Sequence, residues 1–320
     1  MKKIIKTIAV LALVLSLATV VCTAETSPAR PVRVAALKGP TGMAVAHMMK
    51  QNEGAYEFLI ESQPANVNAL IISGQADIAA VPINAGAVLY NKTEGGVKAL
   101  SLITRGMLYV LEKGESIQSV SDLAGRTVVT AGQGATPEYV MNYILETNGV
   151  DAKMEYLSEH AEVVAQALAG NADVVLLPEP MVTNLLIKGD GYRKALDVTE
   201  LFGDAARQNG LEDAQLSMSV VIVRREFLES NPEAVAQFMQ DLEASIAFAN
   251  ENVHEAAQEI AELEIIPAAA VAEKALPSCT LVFVSGADMQ AQAAPLYDIL
   301  FAANPQSVGG KAPDDGYYFK

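Results

Sequence analysis

The chain has 320 residues, 51% of them hydrophobic and 19% charged, a globular composition with room for roughly two domains. The formal net charge of −16 repels phosphate backbones and argues against nucleic-acid binding. Aromatic residues make up 6% and Trp is absent, so there are few rings on which a sugar or a base would stack.

Residues 1–24 read as an export signal. Lys2, Lys3 and Lys6 form a basic start, and residues 8–21 are an apolar run of signal-peptide length, short for a membrane span. Cys22-Thr23-Ala24 offers cleavage after Ala24. A cut before Cys22 would instead give a lipid anchor, although Val21 departs from the small residue such a cut prefers. Either route places the mature chain in the periplasm or elsewhere outside the cytoplasm. Cys279 lies in an apolar run and reads as a small buried hydrophobe rather than a nucleophile.

Beyond a short linker at 27–31, strands and helices alternate. Residues 32–37 predict a strand, broken by Gly39-Pro40-Thr41-Gly42, and 43–50 a helix. Residues 56–60 and 77–81 predict strands; 65–72 and 84–90 predict helices. This order points to a parallel sheet with crossover helices. The pattern returns at 127–131 (strand), from 136 to about 148 (helix), 154–157 (strand), 162–169 (helix) and 173–177 (strand). Residues 216–223 read as a further strand. A long helical stretch over 224–252 follows, its second part starting at Pro232.

The recurrence is also literal. Gly74-Gln75-Ala76-Asp77, four apolar residues and Pro82 match Gly170-Asn171-Ala172-Asp173, four apolar residues and Pro178, at an offset of 96. Gly39 and Thr41 match Gly134 and Thr136 one position closer. The chain therefore reads as an α/β fold of two Rossmann-like lobes with mostly parallel sheets. Residues 31–105 plus 217–320 form lobe one and 106–216 lobe two. The two chain crossings, near 104–108 and 217–224, make a two-stranded hinge, with Arg105 assigned to it.

In open α/β sheets, ligands sit at the C-terminal ends of strands. The loops expected there supply Gly39, Pro40, Thr41, Gly42, Met43, Gln63, Ile83 and Asn84 from lobe one. Lobe two supplies Gln133, Gly134, Ala135, Thr136 and Glu179. Glycine permits close backbone approach, and helix N-termini hold acceptor groups. Thr41, Gln63, Asn84, Gln133 and Thr136 bring side-chain hydrogen bonds; Met43 and Ile83 bring apolar walls. Thr41, Thr136 and Asn84 serve equally well as helix caps, and Gln63 and Glu179 as plain surface residues. Lys38 is the one basic residue in these loops, which favours a neutral or zwitterionic organic ligand over a bare oxyanion.

The start of the first strand through Met43, the two Gly-x-Ala-Asp segments, Leu177-Pro178-Glu179-Pro180 and the turn Asp122-Leu123-Ala124-Gly125-Arg126-Thr127-Val128 carry a resemblance. It is to the type II periplasmic-binding-protein fold, and within it to the nitrate, sulfonate, taurine and thiamine-precursor (SsuA/THI5-like) binding proteins of ABC importers. The resemblance covers nearly the whole mature chain. It implies a monomeric solute-binding protein that is not an enzyme and needs no cofactor or metal. Its ligand would be a small organic molecule (a sulfonate, a nitrate-like anion or a thiamine-precursor heterocycle), and its partner a membrane permease. Two alternatives stand beside this reading: a thiamine-pyrimidine-synthase-like enzyme, and the ligand-sensing partner of a receptor. His47, His160 and His254 are widely spaced, with no cysteine cluster to bind metal. The tail 309–320 resembles the ending of one branch of such proteins; a latch on lobe one is its structural reading.

Overall fold

The structure, a computed structural model, describes residues 30–320 apart from positions 53 and 213. The expected signal peptide, its cleavage sites and Cys22 lie outside the described residues.

Eleven strands are described, in two sheets. The first half of the chain runs β1 (Val32–Leu37), α1 (Pro40–Gln51), β2 (Tyr56–Glu61), α2 (Pro64–Ile72), β3 (Ile78–Pro82), α3 (Ile83–Lys92) and β4 (Val97–Arg105). The chain then crosses into β5 (Leu108–Lys113), β6 (Thr127–Ala131), α4 (Thr136–Thr147), β7 (Lys153–Leu157), α5 (His160–Leu168), β8 (Val174–Pro178), α6 (Met181–Lys188), β9 (Tyr192–Asp197) and α7 (Val198–Gln208). It returns through β10 (Ser217–Arg224), α8 (Arg225–Ser230), α9 (Pro232–Glu251), α10 (Val253–Glu262), α11 (Ala269–Ala275), β11 (Leu281–Ser285) and α12 (Gly286–Ala303).

The first sheet has the order β11-β4-β10-β3-β1-β2, and the second β7-β6-β8-β5-β9. Both are mixed. β1 pairs in parallel with β2 and β3, and β6 with β7 and β8, as crossover helices require. β10 and β5 enter each sheet antiparallel, at β3 and β8 respectively. Most strands of each sheet run the same way, and the mixing has a topological reason: each half takes in a strand from the chain segment that has just crossed between them.

Those crossings touch. Ser217 pairs with Arg105, and the Gly106 N–H donates to the Leu216 carbonyl at 2.7 Å. Gly106 and Met107, which join β4 to β5, both take positive φ (59° and 62°). At Gly106 a Cβ would lie 2.3 Å from the Thr199 hydroxyl, so glycine is needed for space as well as for φ. Arg105 reaches back to Gln292 on α12.

Alternation along β1 sorts its side chains onto the two faces of the first sheet. Val34 and Ala36 join Met43, Met48, Phe238, Leu242 and Ile246 in one apolar cluster, while Ala35 joins Val67, Ile71, Leu296 and Leu300 in another. The C-terminal helices thus cover the sheet that α1–α3 leave incomplete. Val220 to Val223 in β10 are all buried, the continuous apolar run of a strand covered on both faces. The tail returns to the first sheet as well. Tyr318 bridges Ala99 of β4, and Tyr317 and Tyr318 are buried.

The repeat is visible element by element. α2 and α5 are each nine residues long, and α1 and α4 each twelve. Asp77 and Asp173, identical in the motif, have diverged in role. Asp77 is buried and pairs with Arg33 at 2.9 Å, whereas Asp173 is exposed.

Candidate functional site

A cleft of about 730 Å³ opens at the C-terminal ends of β1 and β2 in the first sheet and of β6, β7 and β8 in the second. Lys38, Gly39 and Pro40 enter it after β1, and Ser62, Gln63 and Pro64 after β2. Ala131 and Gly132 follow β6; Ser158, Glu159 and His160 follow β7; Glu179, Pro180 and Met181 follow β8. Of the matched segments 34–41 and 129–136, residues 38–40 and 131–132 line this cleft, and 133–136 do not. A further wall, Ile265 to Ala268 with Val271, comes from the corner between α10 and α11.

Four helices, α1, α2, α5 and α6, begin at this cleft; none is capped by the side chain of its N-cap residue, and only α6 has a first-turn N–H, that of Thr183, taken by a side chain, Glu179. First-turn N–H groups carry the positive end of the helix dipole, so the convergence favours a ligand acceptor group. Gly39 holds φ at 95°, which lets the chain turn from β1 into α1. Aliphatic residues and prolines share the lining with polar ones, among them Gln63, Glu159, Asn184 and Lys188; no Phe or Tyr belongs to it, and His160 is its one aromatic ring.

Gln63 and Glu159 occupy equivalent positions of the repeat and meet across the cleft: Gln63 Nε2 donates to Glu159 Oε1 at 3.3 Å. His160 opens α5, and burial lowers its pKa, so the imidazole is neutral near pH 7. Its Nδ1 is buried without a hydrogen-bond partner. Glu179 is fully buried and engaged within the second half. Its Oε2 accepts from the Thr183 N–H at 3.0 Å, and its Oε1 lies 3.0 Å from Lys194 Nζ. Lys194 also reaches the Ser278 hydroxyl at 3.2 Å and lies 3.9 Å from the centroid of the Tyr109 ring.

Of the residues named from sequence, Gly39, Pro40, Gln63 and Glu179 line the cleft. The Thr41 hydroxyl turns back to the N–H and carbonyl of Leu37, both at 3.0 Å. Gly42, Met43 and Ile83 are packed in the core. Ala135 is the N-cap of α4. Thr136 is buried and its hydroxyl donates to Asn84 Oδ1 at 3.4 Å, which joins the halves away from the cleft lining. Gln133 and Gly134 lie along a second groove, between α4 and α12. Sequence reasoning missed Ser158, Glu159, His160, Asn184, Lys188 and the 265–271 corner. The offset of 96 carries Ser62-Gln63-Pro64 onto Ser158-Glu159-His160, so the repeat held the signal for that loop. The 265–271 corner has no counterpart in the repeat.

No helix among the described residues is long and apolar enough to cross a membrane. Nor does any group of His, Cys, Asp and Glu among them have the geometry to hold a metal ion. No curated protein matches the sequence. Among solved structures, an ABC transporter protein from Parabacteroides distasonis superposes with a TM-score of 0.77 at 23% identity, over 91% of this chain and 99% of its own. The periplasmic aliphatic sulphonate binding protein SsuA from Escherichia coli gives 0.70 at 16% identity, over 91% and 92%. A Candida albicans protein with the generic periplasmic binding protein fold gives 0.54 at 15% identity, over 89% and 92%. At these identities the likeness carries the fold, which is that of the periplasmic binding proteins. The model of the NMT1/THI5-like family matches residues 55–256, well over half of the chain, and the protein belongs to that family.

Proposed function

We propose that this is an exported solute-binding protein of an ABC importer. Its two lobes, 31–105 with 217–320 and 106–216, close on a small organic molecule and present it to a membrane permease. The observation that carries the reading is the cleft: strand ends and helix N-termini of both halves converge on one cavity, while among the described residues the chain passes between the halves at two adjacent crossings. Relatives in fold include an aliphatic sulphonate binding protein and an ABC transporter protein, in line with this role.

Within the candidate ligands, the lining favours an aliphatic molecule with an acceptor head, as in an alkanesulfonate. A nitrate-sized anion would leave most of 730 Å³ to water. A flat heterocycle would find only the His160 imidazole as a ring to stack on, whereas Ile265, Ile266, Pro267 and Met181 suit an alkyl chain. The N-termini of α1, α2 and α5 and Lys38 suit the head. Binding to one lobe followed by closure removes water and strengthens those polar contacts.

A thermal-shift screen of the mature chain tests the reading, with alkanesulfonates, nitrate, amino acids and pyrimidines as probes. Stabilisation by an alkanesulfonate, lost on Gly39→Val, supports it. Stabilisation by pyrimidines alone would overturn the ligand class, and no response to any small molecule would overturn the binding role.

A further inference from the structure

Charge is unevenly used along the cleft. Besides His160, its ionisable lining consists of Lys38, Glu159, Glu179 and Lys188. Both acids are engaged. Glu179 lies 3.0 Å from Lys194 Nζ and accepts from the Thr183 N–H, and Glu159 accepts from Gln63. Both lysines are exposed, and neither ammonium has an ion-pair or hydrogen-bond partner among the described residues. In a chain of net charge −16, two unpaired cations, one from each half, thus share a single cavity.

Lys188 owes its place to α6. Val182 and Leu185 of that helix are buried in the core of the second half, whereas Met181, Asn184 and Lys188 line the cleft. These three stand at i, i+3 and i+7, one stripe of a helix. The stripe is apolar where α6 leaves β8, carries an amide at its middle and ends in an ammonium. Seven residues of helical rise set Lys188 about 10 Å along the axis from Met181, away from the strand-end loops. On the first half, α11 packs against α6 and brings Val271 to the same cavity. The one acid of α11, Glu273, lies 3.1 Å from His254 Nδ1. A lysine in a last turn complements the helix dipole wherever the helix lies, but that role does not require it to line a cleft.

We infer that the cleft takes an aliphatic anion with a second anionic group at its far end, and that Lys188 selects for that group. The inference rests on the solute-binding reading above and deepens it. The head goes to Lys38 and the helix N-termini at the strand ends, and the stem lies on Met181, Ile265 and Ile266. The distal group, a carboxylate or a second sulfonate about 10 Å from the head, meets the Lys188 ammonium and the Asn184 amide. A methyl at that end leaves Lys188 unpaired, and an ammonium meets it with like charge.

The test is isothermal titration calorimetry of the full-length mature chain with three octyl sulfonates, ending in a methyl, a carboxylate and an ammonium. The parent is expected to bind the carboxylate-ended sulfonate about tenfold more tightly than the methyl-ended one, the lower end of the range for a charge-assisted hydrogen bond because the lysine is exposed. The ammonium-ended sulfonate should bind most weakly. Lys188→Met should weaken the carboxylate-ended ligand about tenfold and leave the methyl-ended one unchanged, whereas Lys38→Met should weaken all three alike. An unchanged melting temperature of ligand-free Lys188→Met shows that its fold is intact. Equal binding of the carboxylate-ended and methyl-ended sulfonates by the parent, or a preference that survives Lys188→Met, would overturn the inference and leave the binding role standing. No binding of any of the three would overturn it together with the sulfonate reading.

Discussion

The Glu179–Lys194 pair predicts an asymmetry between its two partners. Glu179 has no solvent exposure and Lys194 about a third of its side chain exposed. Lys194→Met strips a buried carboxylate of its counter-ion and leaves it one N–H, from Thr183; removal of one partner from a buried pair costs about 3–5 kcal/mol. Glu179→Gln keeps the shape and the acceptor for Thr183. The ammonium it abandons still has Ser278, the Tyr109 ring and water, so the cost is that of a charge-assisted hydrogen bond, about 1.5–3 kcal/mol. The lysine variant should therefore be the less stable by roughly 1–2 kcal/mol, and the double variant should cost less than the two singles combined. Because the chain has no Trp, urea unfolding is followed by far-ultraviolet circular dichroism. Equal losses, or a larger loss for Glu179→Gln, would refute the argument from burial.

Other perturbations separate packing from function. Asp77 accepts from the Arg33 backbone N–H at 3.1 Å and from its guanidinium, so Asp77→Ala should cost about 1.5–3 kcal/mol for those charge-assisted bonds. Its exposed repeat partner should change stability by no more than about 0.5 kcal/mol in Asp173→Ala, and urea curves of the two variants decide. At Gly42 a Cβ would lie 2.7 Å from the Leu37 carbonyl and 2.9 Å from Ile265, so Gly42→Ala should lose about 1–3 kcal/mol by thermal melting. Burial lowers the His160 pKa, so between that lowered value and the ordinary 6.5 the unfolded chain binds more protons than the folded one. Stability attributable to His160 is thus lost as pH falls below about 6.5, and a pH series of urea midpoints should be flatter there in His160→Gln than in the parent.

Much of the fold was legible because local pattern and repeat agree. Residues 127–131 form the expected strand, and α2 and β3 fall within a residue of their predicted bounds, where β-branched runs stop at Pro or Gly. The 224–252 stretch breaks before Pro232, as a residue without an N–H and with a fixed φ dictates. The mixed sheets were not legible. Period and propensity are the same for parallel and antiparallel strands, and which sheet β5 or β10 joins is decided by tertiary pairing between segments far apart in sequence.

The site was legible by halves for a related reason. Strand-end loops can be located from the end of an apolar run, but side-chain direction within them depends on where the next helix starts. α1 begins at Pro40, three residues ahead of the apolar spacing that marks it, and α3 at Ile83 directly after its strand. This puts Thr41, Gly42 and Met43 inside a helix whose first turn folds back onto β1, so their side chains pack while Gly39 and Pro40 face the cleft. The same early start puts His160 at the head of α5, equivalent to Pro64 at the head of α2. Duplication brings the two loops face to face, Gln63 against Glu159, and leaves each half free to vary the residue at the helix head: a proline without a donor in one, an imidazole with an unpartnered nitrogen in the other. A symmetric scaffold thereby yields a chemically lopsided cavity.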